Sequence, residues 1–143
     1  IIGGESSGGL TVKGHINGKD GIYAASLLVE MIAVTGKKLS EIAREIQQEY
    51  GEIHMVERDY RFTAERKVQI HKTLMVDKLL PALPYEISKV SYLDGCKVYF
   101  QNGGWIIARF SGTEPLLRIF CEMDSELQAM ELCDIFEEFL ELK

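Results

Sequence analysis

Three short stretches carry residues whose types and spacing could do chemistry. Gly3-Gly4-Glu5-Ser6-Ser7-Gly8-Gly9 sets a carboxylate and a hydroxyl two residues apart in a glycine-rich loop. Glycine lets backbone approach a ligand closely. Glu5 as acceptor and Ser7 as donor or acceptor could hold neighbouring hydroxyls of a sugar; the alternative is a flexible surface loop solvated by its serines. The second stretch runs from Arg109 through Phe110-Ser111-Gly112-Thr113-Glu114-Pro115 to Arg118, at a turn between two predicted strands. Ser111 and Thr113 supply hydroxyls there, and Gly112 frees the backbone for an N–H-lined anion nest. Arg109 and Arg118 flank it with planar guanidinium forks suited to phosphate oxygens. The competing reading is a turn with two solvated or salt-bridged arginines.

The third stretch is Gly14-His15-Ile16-Asn17-Gly18-Lys19-Asp20-Gly21-Ile22. Lys19 offers a positive charge to an anionic substrate, and Asp20 suits the N-cap of a following helix. His15 could shuttle a proton, or serve only as a structural or solvated loop residue. His54 and His71 have no partner at metal-ligand spacing. The sequence contains no HExxH, no Cys/His cluster, no P-loop and no GxSxG elbow. Its chemistry is that of a binding half, without metal ligands or a nucleophile of its own.

These stretches need elements to position them. Residues 1–5 read as the end of a buried strand entering the glycine-rich loop. Residues 20–34 are apolar almost all round, which predicts a helix buried on several sides and ended by Gly36 in the C′ role. A second helix is predicted from Ser40, with Leu39, Ile42, Ala43, Ile46 and Tyr50 at helical spacing and Gly51 as its stop. Beyond it, residues 53–62 predict a strand, and Thr63 caps a helix to about Val76. Strands follow at 87–92, 97–101, 105–110 and 116–123, with Asp94-Gly95 and Asn102-Gly103 as hairpin turns. A last helix starts at Ser125, whose capping box with Gln128 precedes an apolar stripe of Ala129, Met130, Cys133, Phe136 and Leu140. The fold class is α+β: a roughly four-stranded, mostly antiparallel sheet flanked by helices over 52–143, preceded by an α/β tail at 1–51 that belongs to a truncated domain.

Length and composition agree with this division. The 143 residues are 46% hydrophobic and 27% charged, which is globular and excludes disorder. No apolar run reaches the ~18 residues of a membrane helix. The opening IIGGE has neither a charged n-region nor an apolar h-region, and it lacks an initiator Met, as an excised segment would. Cys96, Cys121 and Cys133 form no CxxC pair and leave one over, which predicts reduced thiols and a cytoplasmic location. The net charge of −6 is uneven: residues 122–143 carry −7 and the rest +1. The acidic run reads as a solvated helix face or, alternatively, a protein-interaction surface. No basic stripe points to nucleic acid.

Together and in this order, the three motifs resemble the C-terminal part of the α-D-phosphohexomutases, the phosphoglucomutase/phosphomannomutase superfamily. Residues 3–8 resemble the family's GGEESG sugar-recognition loop. Lys19-Asp20-Gly21 resembles its KDG, and Arg109 to Pro115 with Arg118 resembles its R-P-S-G-T-E-P…R phosphate loop. The resemblance implies that 1–51 ends the sugar-binding third domain and that 52–143 is the TBP-like, phosphate-binding fourth. It implies that Glu5, Ser7, Lys19 and His15 contact the sugar. Arg109, Ser111, Gly112, Thr113 and Arg118 would then hold the phosphate that is not being transferred. Ser6 departs from the family's second glutamate, and Phe110 from its proline.

Enzymes of this kind are isomerases that move a phosphoryl group between an active-site phosphoserine and a hexose phosphate, through a bisphosphate intermediate. The resemblance therefore implies a phosphosugar substrate, N-terminal domains of the same chain as partners, and Mg²⁺ bound outside these residues. A glucose 1,6-bisphosphate-type activator fits the same scheme. It also implies that this segment is inactive alone. A phosphoglucosamine mutase, or a non-catalytic sugar-phosphate-binding module, would use the same loops.

Overall fold

Residues 116–123, Leu-Leu-Arg-Ile-Phe-Cys-Glu-Met, alternate between large apolar side chains and mixed ones from Leu117 onward, the period of a strand with one face in a core. In a computed structural model, which describes residues 1–5, 7–112 and 116–143, this segment is the axis of the larger of two compact units. The units are Ile1–Gly51 and Glu52–Lys143.

In the smaller unit, β1 (Ile2–Gly4) and β2 (Leu10–Val12) form an antiparallel hairpin, followed by α1 (Gly21–Thr35) and α2 (Leu39–Tyr50). Asp20 caps α1 by accepting from the amides of Ile22 and Tyr23, and Gly36 closes it with φ 67°. Gly51 ends α2. Two expectations fail here. Residues 1–5 are not a buried strand, since Ile1 is 96% exposed. Nor is α1 buried: none of its residues is, and Ile22 and Val34 are 84% and 79% exposed. A hairpin of two three-residue strands and one further amphipathic helix offer too little surface to cover a helix that is apolar all round.

The larger unit is built on a five-stranded antiparallel sheet in the order β3-β7-β6-β5-β4. Its strands are β3 (His54–Arg61), β4 (Ile87–Ser91), β5 (Cys96–Phe100), β6 (Trp105–Phe110) and β7 (Leu116–Met123). The α+β class with flanking helices is as expected, with one strand more than four because β3 pairs along the whole of β7. Helix α3 (Ala64–His71) is capped by Thr63 and widens into a π-helical turn, Lys72–Val76, that carries buried Leu74. Helix α4 (Glu126–Phe139) starts at Ser125, whose Oγ accepts from the Gln128 amide.

One sheet face joins Val98, Ile106, Ile119 and Cys121 to Ile70, Leu74, Leu132 and Phe136 of the helices in a single core. The α4 stripe differs from expectation at one place: Leu132 is buried, whereas Met130 is 42% exposed. Leu132 lies one turn before Phe136, on the face that meets the sheet. Cys96, Cys121 and Cys133 are all buried and free. No helix is long and apolar enough to cross a membrane among the described residues.

Register decides what the other sheet face carries. Arg109 stands directly opposite Arg118, and Arg118 opposite Asp59. Two residues along, Lys97, Ile107, Phe120 and Glu57 form the next row; beyond it come Tyr99, Trp105, Glu122 and Met55. Lys97 lays its ammonium 3.7 Å from the Trp105 ring centre and 4.9 Å from that of Tyr99.

Candidate functional site

The glycine-rich stretch is the turn of the β1–β2 hairpin, closed by Glu5 N–H donating to the Gly9 carbonyl at 3.0 Å and Gly8 N–H to that of Glu5 at 3.0 Å. Gly8 sits at φ 82°, where a side chain is strained. The turn points the Glu5 carboxylate at two sequence-predicted partners: Oε2 accepts from Lys19 Nζ at 2.5 Å and from Ser7 Oγ at 3.4 Å. Gly9 makes the first contact feasible. A Cβ there would lie 2.4 Å from Lys19 Cδ, so the lysine stem crosses the hairpin where only glycine leaves room. Glu5, Ser7 and Lys19 thus form one cluster, an acceptor flanked by an ammonium and a hydroxyl. That set suits a polyhydroxylated ligand.

His15 is engaged elsewhere. Its Nε2 lies 2.7 Å from Asp20 Oδ2, and its ring stacks on Tyr23 with centroids 4.0 Å apart and planes at 15°. Asp20 uses its other oxygen to cap α1. The His15 hydrogen bond, with the Tyr23 amide second, holds the Asp20 carboxyl below its ordinary range. His15 therefore ties residues 13–20 to the first turn of α1, next to Lys19. The sequence marks Asp20 as a cap; nothing in it marks Tyr23, which matters only once α1 places it three residues beyond that cap.

At the phosphate-loop candidate, β6 and β7 bring Arg109 and Arg118 into direct cross-strand opposition, and Ser111 N–H closes the hairpin on the Leu116 carbonyl at 2.9 Å. Ser111 and Gly112 sit at the mouth of this hairpin; Thr113 lies outside the described residues. Like charges directly opposite in a sheet are destabilising. Two arginines held so need negative charge nearby, and carboxylates provide it. Asp94 Oδ2 lies 3.0 Å from Arg109 Nε, while Asp59 Oδ1 lies 3.7 Å from Arg118 Nε and Glu57 Oε1 4.0 Å from its Nη1. Sequence reading missed all three acids. The β3–β7 pairing that brings Asp59 and Glu57 in joins residues about sixty apart, and no local spacing encodes it.

Phe110 faces the opposite way. Its ring packs edge-on against Phe62 with centroids 5.8 Å apart, lies 5.9 Å from the His71 ring, and has Lys67 Nζ 5.7 Å from its centre. An aromatic residue where the resembled loop has proline anchors the end of β6 to α3 by packing. Among the described residues, no group of three or more His, Cys, Asp or Glu side chains could hold a metal ion. The donors and acceptors gathered here are of the kind that can hydrogen-bond anions and hydroxyls.

Comparison with known proteins places the chain. Residues 1–50 match the family described as phosphoglucomutase/phosphomannomutase, alpha/beta/alpha domain III, and residues 61–139 match phosphoglucomutase/phosphomannomutase, C-terminal domain. A phosphoglucomutase/phosphomannomutase of Thermococcus kodakarensis is 34% identical over 140 residues, spanning 98% of this chain and 28% of that protein. A phosphoglucosamine mutase of Halalkalibacterium halodurans is 34% identical over 136 residues, 94% of this chain and 25% of that protein. The chain thus spans about a quarter of the length of these relatives. Among solved structures, a phosphoglucomutase/phosphomannomutase family protein from Burkholderia thailandensis superposes with a TM-score of 0.64 at 20% identity, covering 98% of this chain and 28% of that one.

Proposed function

The chain belongs to the phosphoglucomutase/phosphomannomutase family, and we propose that it is the substrate-orienting, C-terminal part of a phosphohexomutase that interconverts hexose 1-phosphate and 6-phosphate. In this reading residues 1–51 end a sugar-binding domain and residues 52–143 are the phosphate-binding domain. The observation that carries it is the cross-strand pair Arg109 and Arg118 at the end of the β6–β7 hairpin, beside Ser111 and Gly112. Arginines at paired positions of two strands, with Ser111 and Gly112 following the first, favour a phosphate dianion over other ligands, because forked donors match its oxygens two at a time.

Each residue then has a task. Arg109 and Arg118, with the Ser111 and Thr113 hydroxyls and the Gly112 backbone, grip the phosphate that is not being transferred. Glu5 accepts from ring hydroxyls and Ser7 exchanges hydrogen bonds with them. Lys19 brings positive charge beside both, and His15 keeps its stretch of loop fixed to α1. Phosphoryl transfer depends mainly on positioning and charge stabilisation, so residues that only orient the sugar still govern the rate. The phosphoserine that gives and takes the phosphoryl group would lie in the segment preceding Ile1. Magnesium would be held there too, offsetting charge on the transferred group; no residue of this chain is assigned to it. A hexose bisphosphate would serve as intermediate or activator. The proposal extends to a cytoplasmic isomerase of carbohydrate metabolism.

An NMR titration tests it. Glucose 6-phosphate and inorganic phosphate should both shift the amides of the described residues in 109–118, glucose should not, and Arg109→Ala should abolish the response. Glucose 6-phosphate alone should also shift residues 3–19. Shifts absent from 109–118 with either phosphate ligand would refute the reading. The isolated chain should not interconvert the two glucose phosphates.

The identity with a phosphoglucosamine mutase, equal to that with the phosphoglucomutase/phosphomannomutase, favours a second reading in which the sugar is an amino sugar. Ser6 and the Lys19-Asp20-Gly21 run argue for the first. Glucosamine 6-phosphate binding more tightly than glucose 6-phosphate would select the second.

A further inference from the structure

Asp94 is placed against Arg109 by more than side-chain reach. Gly95 sits at φ 94°, and a Cβ on it would lie 2.5 Å from the Ala108 carbonyl oxygen and 3.0 Å from Arg109 Cα. The β4–β5 turn is therefore laid directly on the backbone of residues 108–109, and the residue before the glycine is delivered to the arginine. Asp94 Oδ2 meets Nε of Arg109, on one edge of a fork with five donors. Across the strand, Arg118 has Asp59 and Glu57 beside it, so three carboxylates face two guanidiniums.

We propose that Asp94 is a resident counterion that sets the strength of phosphate anchoring: it orients Arg109 in the empty site, and an incoming phosphate must compete with it. The inference rests on the reading of this loop as a phosphate site, and it assigns that site a positioning residue acting through Arg109. Both partners are exposed, Asp94 more than Arg109. An exposed ion pair shifts an equilibrium by no more than about fivefold, and a dianion beside the same carboxylate adds repulsion of similar size in water. Asp94 thus weakens phosphate binding by about three- to tenfold. In exchange, a departing phosphate leaves Arg109 to a carboxylate already in place, which raises the dissociation rate. An anchor of this kind suits a ligand that must be released and gripped again by its other end.

The test is phosphate affinity, measured by titrating this 143-residue chain with inorganic phosphate and following backbone amides together with the Arg109 Nε–Hε resonance. Asp94→Asn preserves the turn, because Asn-Gly is a favoured hairpin dipeptide. It should bind phosphate about three- to tenfold more tightly than the wild type and move the Arg109 Nε–Hε resonance before any phosphate is added. Asp94→Glu should restore affinity to near the wild-type value, and Arg109→Ala should lose binding. A purely structural Asp94 would leave affinity unchanged or lower it in the Asn variant; either result overturns the counterion role while the phosphate-site reading stands. No response of residues 109–118 in the wild type would overturn both.

Discussion

Gly95 and Gly103 occupy equivalent places in two consecutive hairpin turns, at φ 94° and φ 93°, yet they differ in what surrounds them. A Cβ at Gly103 would meet nothing within 4 Å, whereas one at Gly95 would press to 2.5 Å on the Ala108 oxygen, part of the strand backbone and unable to step aside. Substituting alanine therefore separates conformational strain from steric conflict. A left-handed backbone costs an ordinary residue about 1–2 kcal/mol, and that is the whole effect expected at Gly103. At Gly95, overpacking adds about 1–3 kcal/mol. For a unit of this size each kcal/mol lowers the melting temperature by roughly 4–8 °C. Gly103→Ala should then melt roughly 4–16 °C below the wild type, and Gly95→Ala at least about 4–8 °C below Gly103→Ala. Trp105, on β6, is the only tryptophan in the chain, so its fluorescence follows the larger unit alone. Melting curves that coincide for the two variants would refute the close approach of the β4–β5 turn to Arg109, and with it the delivery of Asp94.

Glu137 is 5% exposed and accepts from Tyr60 Oη at 2.5 Å, Arg58 Nη1 at 2.9 Å and Lys143 Nζ at 2.9 Å, tying α4 to β3. Arg58 keeps Asp134 at 2.6 Å in its absence, so Glu137→Ala should cost about 3 kcal/mol, read by urea denaturation. These hydrogen bonds, from Tyr60 first, hold the Glu137 carboxyl below its ordinary value. Its contribution is present above the unfolded carboxylate pKa and is lost as pH falls through the folded one, so Glu137→Gln should flatten the acid limb of a stability profile. Burial, then the Glu137 contact, pushes the Tyr60 phenol up to about 12. Its contribution is complete below the unfolded value of about 10 and declines as pH rises toward 12; Tyr60→Phe should remove that decline. Gly9→Ala displaces the flexible Lys19 side chain rather than backbone. It should leave melting and phosphate binding unchanged while weakening the glucose 6-phosphate response at residues 3–19 several-fold.

What the sequence made legible was local. Caps at Asp20, Thr63 and Ser125, stops at Gly36 and Gly51, and the two Xaa-Gly turns each depend on one or two neighbouring residues, and each stands where expected. The contacts that complete the candidate site are not local. Glu5 meets Lys19 across fourteen residues because a hairpin and a glycine allow it. Arg118 meets Asp59 only through the β3–β7 register. The exposure of α1 departs from expectation for a related reason: an all-round apolar sequence states that a helix is suited to being covered, not that the chain at hand contains the cover.

Asp94, Asp59 and Glu57 give the proposed phosphate site a further, measurable property. Two guanidiniums beside three carboxylates carry a net negative formal charge, so a phosphate dianion bound there would be held by short-range hydrogen bonds against a weakly repulsive field. Salt screens the field over about 8 Å at physiological ionic strength but acts less on contacts made at bonding distance. Raising sodium chloride should therefore strengthen phosphate binding slightly in the wild type. Asp94→Asn removes one unit of the repulsion, which leaves attraction from the arginines less opposed and more exposed to screening. Its affinity should start higher and lack that rise with salt, so that the two curves converge. Parallel curves would mean that Asp94 acts on Arg109 through geometry alone, and curves that diverge would contradict the electrostatic account altogether.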